Sequence, residues 1–94
     1  MLDLSHVLIR PLITEKSMIA TEIGKYTFEV HPDANKRMIR NAVEKYMGVD
    51  VTSVRTSLVN GKDRRYGKFA GRTKDWKKAI VSVKPGQKIE LFES

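Results

Sequence analysis

The chain has 94 residues and carries eighteen Lys and Arg against eleven Asp and Glu, a net charge of +7, so it has room for one domain around one small core and points to a polyanionic partner. It has no cysteine, which excludes a disulfide framework and a thiolate zinc site and favours a reducing compartment, the cytoplasm. The opening "MLDLSHVLIRPL" has an acid where a signal peptide would be basic, and it meets Arg10 and Pro11 before an apolar run long enough for export or a membrane span develops.

In chain order, "HVLIRPLI" reads as a brief edge strand, because Pro11 has no N–H to donate to a ladder. "TEKSMIATEIGKY" reads as a helix of two to three turns, capped by Thr14, with Glu15 facing the positive end of the dipole and Gly24 as its stop. "KYTFEVH" alternates, placing Tyr26, Phe28 and Val30 on one side of a half-buried strand. "DANKRMIRNAVEKYMG" carries a stripe of Ile39, Ala42, Val43, Tyr46 and Met47 at helical spacing and ends at Gly48. "VDVTSVRTSLVNG" resumes period two through Val49 and Val51 and, after a slip, Val54 and Leu58. "WKKAIVSV" is the last strand, and "PGQKIELF" turns at Pro85 and Gly86 to bring Leu91 and Phe92 back to the body.

About fourteen polar and glycine-rich residues separate the last two strands, and a connection this long usually has a function. Asn60-Gly61 would ordinarily make a two-residue hairpin, but no strand pattern follows it directly. Residues 62–78 hold eight basic and two acidic side chains, a net of +6, which leaves +1 for the other 77. So uneven a distribution marks a local electrostatic footprint. The expected fold is therefore α+β, a two-layer or three-layer sandwich with a mainly antiparallel four-stranded sheet in the order β-α-β-α-β-β. It forms a single RNA-binding domain over 1–94, with an extended basic hairpin loop at about 60–76.

The inventory for catalysis is thin. His6 and His31 are isolated and no pair of carboxylates has a reason to lie together, so no catalytic residue, metal ligand or cofactor site is assigned. "GKDRRYGKFAG" lacks both the lysine-serine or lysine-threonine ending and the following helix of a phosphate loop. "RYGKFAG" invites comparison with an aromatic RNA-binding strand, but Gly67 and Gly71 argue for an extended loop instead. In that loop Lys62, Arg64, Arg65, Lys68, Arg72 and Lys74 meet phosphates, Tyr66 and Phe69 stack beside bases, and Lys77 and Lys78 extend the footprint into the strand. The competing reading is a solvated loop whose charges only confer solubility. Lys36 and Arg37, in the first turn of the second helix, oppose its dipole by a few tenths of a kcal/mol each, a cost that a nearby phosphate would offset. Trp76 reads as a buried anchor at the base of the hairpin.

"RPLITEKS", "KYTFEV", "ANKRMIRNAVEKYMGV", "GKDRRYGKFAGRTKDWKKAIV" and "GQKIELF" together resemble the bacterial-type large-subunit ribosomal protein twenty-three family over nearly the whole chain. The most specific parts are "DWKKAIVSV" and the "ITEK" and "GR" elements. The resemblance implies a body docked on large-subunit ribosomal RNA at the polypeptide exit, beside neighbouring ribosomal proteins, with the hairpin running along RNA into the tunnel wall. It also implies docking of a nascent-chain chaperone and the signal-recognition particle at Glu15, and it adds Lys16 to the RNA-facing set. Two other classes remain: a free-standing RNA- or DNA-binding regulator using the same hairpin, and an enzyme, for which no phosphate-cradling loop with a positioned arginine or asparagine is found.

Overall fold

The computed structural model describes residues 3–61, 63–66, 69–72 and 75–89, and the side chains of 62–74 lie outside that description. Its elements are a 3₁₀ turn (Leu4–His6), β1 (Leu8–Pro11), α1 (Glu15–Thr21), β2 (Lys25–Val30), α2 (Lys36–Met47), β3 (Val51–Val59), β4 (Asp63–Tyr66), β5 (Phe69–Arg72) and β6 (Trp76–Val83). β1, β2, β6 and β3 form an antiparallel four-stranded sheet in that order, and β4 and β5 form a separate two-stranded ribbon. The class is α+β, as expected.

Alternation decides which residues enter the core. β2 buries Tyr26, Phe28 and Val30, and its register sets Tyr26 opposite Val81 and Phe28 opposite Ala79 on β6. Onto this face α2 lays Ile39, Ala42 and Val43, all fully buried. Removing such aliphatic and aromatic side chains from water contributes about 1.5–3 kcal/mol each. α2 begins at Asn35, whose side chain accepts the Met38 N–H at 2.8 Å, and ends at Gly48 in the left-handed region (φ 68°), where a side chain would be strained. β3 shifts register between Val51 and Ser53, which lets both Val51 and Val54 face the core despite their odd spacing.

The first helix is bounded as the sequence indicates, with one addition. Thr14 Oγ1 accepts the Ser17 N–H at 3.1 Å, and Ser17 Oγ accepts the Thr14 N–H at 2.7 Å, a reciprocal capping box with serine as its second member. At the other end, Asp3 caps the 3₁₀ turn. The Ser5 backbone N–H that its carboxylate accepts holds that carboxyl below its ordinary value.

Several expectations are corrected. Gly71 lies within β5, so among the described residues the segment after Gly61 contains a paired ribbon rather than only open loop, a two-stranded addition to the expected four-stranded sheet. The pairing explains this: Asp63 faces Arg72 and Tyr66 faces Phe69 in the register already set by Val59 and Trp76, so β4–β5 prolongs the β3–β6 hairpin without a slip. Tyr46 is 50% exposed although it falls within the apolar stripe. It sits in the last turn of α2, against a surface hollow shared with Gly48, Val49 and Ile89 instead of beneath a strand. Leu58 is 62% exposed on the edge strand, near where the sheet gives way to the ribbon. Trp76 is only half-buried. The tail turns at Pro85 and Gly86 as expected, and there Gln87 accepts the Asp50 N–H and donates to its carboxylate while Ile89 enters the core. Leu91 and Phe92 lie outside the described residues.

Candidate nucleic-acid interface

The interface is built outward from the end of the sheet where β3 leaves and β6 returns. Val59 pairs with Trp76 there, and one step further the Gly61 N–H donates to the Asp75 carboxylate, pinning the base of the hairpin. Beyond that clamp the ribbon carries the backbone of Arg64, Arg65, Tyr66, Phe69 and Arg72, with Arg64 opposite Gly71 and Arg65 opposite Ala70. Lys62, Lys68 and Lys74 lie outside the described residues. A paired ribbon fixes more of the backbone than an open loop does.

The two lysines at the start of β6 separate. Lys77 stands on the α2 side of the sheet, opposite Val30, and its Nζ donates to the Ala34 carbonyl at 2.6 Å, just before α2 begins. Its charge is thus committed to joining the helix to the sheet. Lys78 stands on the opposite face, between Glu29 on β2 and Ser57 on β3. Lys36 and Arg37 are exposed in the first turn of α2, which holds no acidic residue, and Ala34 places that turn at the hairpin end of the sheet.

On the face away from α2, α1 lies over β2 and leaves a groove of about 330 Å³. Lys16 on α1 and Lys78 on β6 both line it, so two residues far apart in sequence meet at one place. Lys25, Thr27, Trp76 and Ile80 line it as well. Among the described residues no ion pair or hydrogen bond engages the Lys16, Lys25 or Lys78 ammonium groups, whereas Glu29 on the same face accepts from Arg10 Nε at 2.8 Å. Arg55 is exposed beside Ile80 on β3. Sequence reasoning missed Lys25 and Arg55. The alternation places Lys25 opposite in direction to Tyr26, but only the register of β2, β6 and β3 shows that Lys25, Lys78 and Arg55 share one face.

Glu15 occupies the first position of α1 and is exposed. Ile19 on α1 and Ile23 in the turn after it are 62% and 72% exposed. Among the described residues no group of three or more His, Asp or Glu could hold a metal ion, and no helix is long and apolar enough to cross a membrane.

A basic hairpin of this kind on a four-stranded α+β body is accompanied by extensive sequence similarity. Residues 6–91 match the family model for ribosomal protein L23. This chain belongs to the ribosomal protein L23 family. It is 49% identical over 92 residues to the large ribosomal subunit protein uL23 of Symbiobacterium thermophilum, with 98% of each chain covered. It is 55% identical over 87 residues to that of Heliobacterium modesticaldum, covering 93% of this chain and 92% of the relative. With the uL23 protein of Kosmotoga olearia it shares 48% identity over 92 residues, covering 98% and 92%. Members of the L23 family are structural, non-enzymatic proteins of the large ribosomal subunit, which accords with the thin catalytic inventory of the sequence. The match runs through the whole ribbon and both helices, so the basic hairpin belongs to the family's own region of the chain.

Proposed function

We propose that this chain is a cytoplasmic, ribosome-bound structural constituent that binds large-subunit ribosomal RNA near the polypeptide exit and helps form a docking site for factors that meet the emerging chain. The observation that carries the reading is the ribbon: residues 62–74, which include the paired extension of the β3–β6 hairpin, hold six basic side chains and one acidic one, a net charge of +5. Arg64, Arg65, Lys68 and Arg72 neutralise phosphates, Tyr66 and Phe69 contact bases, and Lys62 and Lys74 flank them. Lys36 and Arg37 add charge from the start of α2, and Lys16 and Lys78 from the open face. Lys77 belongs to this set by sequence, but its bond to Ala34 supports a role inside the body. The exposed Glu15, with Ile19 and Ile23 beside it, supports docking of a nascent-chain chaperone or the signal-recognition particle on α1, away from the RNA.

The test is sedimentation with purified large subunits through a high-salt wash, for wild type and for a variant with Arg64, Arg65, Lys68 and Arg72 replaced by alanine. The wild-type chain is expected to stay with the subunit and the variant to wash off. Release of the wild-type chain under the same wash, with retained affinity for free RNA or DNA, would identify a free-standing regulator instead.

A further inference from the structure

We infer that the groove between α1 and the open face of the sheet receives one unpaired nucleotide of the bound RNA, its base against Trp76 and Ile80 and its flanking phosphates beside Lys16, Lys25 and Lys78. This rests on the RNA-binding reading above and adds to it a second contact on the body.

Size is the first ground. About 330 Å³ lies at the lower end of the roughly 300–1,000 Å³ range of small-ligand sites, the scale of a single base. Lining is the second. Trp76 and Ile80 line it from the same face of β6, with Lys78 between them, and an aromatic ring suits the face of a base, because every base offers a π-face and stacking is indifferent to sequence. Charge is the third. Three lysines reach the groove, no carboxylate lines it among the described residues, and Glu29, opposite Lys78 on that face, is held by Arg10. Lys78 stands two residues from Trp76 on β6, Lys16 and Lys25 line the groove with it, and none of the three ammonium groups has a partner among the described residues, which suits a base with phosphates on either side. Trp76 is also the residue at which the sheet ends and the hairpin extension begins, so RNA lying along the ribbon reaches the groove without crossing the core.

Trp76 is the only tryptophan in the 94-residue chain, so its fluorescence reports directly on this place. The probes are pentaadenylate, inorganic polyphosphate of matched charge, a blunt RNA duplex and polyglutamate. Pentaadenylate is expected to quench Trp76, and the other three are not. In Ala20→Met, which fills the groove from α1 without altering charge, quenching by pentaadenylate should be lost. In Lys16→Gln/Lys78→Gln, the fold is at little risk because both side chains point to solvent-accessible space, and the log-log salt slope for pentaadenylate should fall by about 1.4, at about 0.7 per phosphate contact on a single strand. Thermal midpoints accompany each variant, and if Ala20→Met does not fold the lysine pair decides.

Equal quenching by polyphosphate would reduce the site to a charge patch, and quenching by polyglutamate would make it a protein site; either overturns the inference. If neither groove variant affects pentaadenylate while the ribbon variant abolishes its binding, the groove inference falls and the RNA-binding reading stands. If wild type binds neither pentaadenylate nor ribosomal RNA, both fall.

Discussion

Single side chains in this protein divide between those that hold the body and those left free for a partner, and adjacent residues can fall on opposite sides of that division. Lys77 and Lys78 are the sharpest case. One donates to the Ala34 carbonyl at 2.6 Å, and the other lines the open-face groove. Lys77→Gln should therefore cost about 1 kcal/mol in chemical denaturation, the net worth of one hydrogen bond, while leaving the salt dependence of RNA binding unchanged. Lys78→Gln should do the reverse: a stability change within about 0.5 kcal/mol and a salt slope lower by roughly 0.7–0.9. If both variants lost slope equally, Lys77 would be free to leave Ala34 for RNA. Ser17 belongs wholly to the first group. Its buried hydroxyl accepts the Thr14 N–H and donates to the Leu12 carbonyl at 2.7 Å, so Ser17→Ala strands two backbone groups at once. A loss of about 1–3 kcal/mol is expected, larger than that of a surface cap, and urea titration measures it.

Among the elements, the ones legible in the sequence were those whose period and stops act locally. α2 announces itself by Ile39, Ala42 and Val43 and by Gly48, β2 by Tyr26, Phe28 and Val30, and the structure buries all six of those apolar side chains. What could not be read is what depends on a partner. Tyr46 and Leu58 carry the right period but end up where no element covers them. The ribbon was hidden because its strands are short, polar and interrupted by glycine, which are poor strand signals. Its pairing follows from the register that β3 and β6 impose at Val59 and Trp76. The same holds for the candidate interface: the hairpin cations were visible as a charge run, whereas the open-face group of Lys16, Lys25 and Lys78 exists only through tertiary placement. The ribbon itself has a clear test. Replacing Arg64, Arg65, Lys68 and Arg72 with alanine should flatten the log-log salt slope of RNA binding by about three, from roughly 0.7–0.9 per lost phosphate contact. The thermal midpoint should hardly change, because the ribbon forms its own sheet outside the four-stranded core. An unaltered slope would make the ribbon's charges a solubility device.

At the scale of the molecule, the cations proposed to meet RNA stand at one end of the sheet and on one face, and Glu15 and Ile19 are exposed on α1. On the proposed reading, one substitution separates assembly from factor docking. Glu15→Gln keeps the size and hydrogen-bonding capacity of the side chain while removing its charge, so α1 should lose only about 0.3–1 kcal/mol of favourable interaction with its dipole. The Thr14–Ser17 capping box remains and limits the damage. Large subunits should therefore incorporate the variant fully. Docking has more to lose, since neutralising one member of a charge pair at the centre of an interface costs several kcal/mol when the other stays buried and unpaired, and Ile19 and Ile23 supply the apolar surround that would exclude water from such a pair. The measurement is the affinity of a nascent-chain chaperone for ribosomes purified with wild-type or variant protein, with occupancy checked on each preparation. Full occupancy with chaperone affinity weakened tenfold or more is the expected result. Full occupancy with unchanged affinity would confine Glu15 to its place at the start of the helix, and reduced occupancy would mean that the carboxylate, with neighbouring Lys16, takes part in holding the chain on RNA.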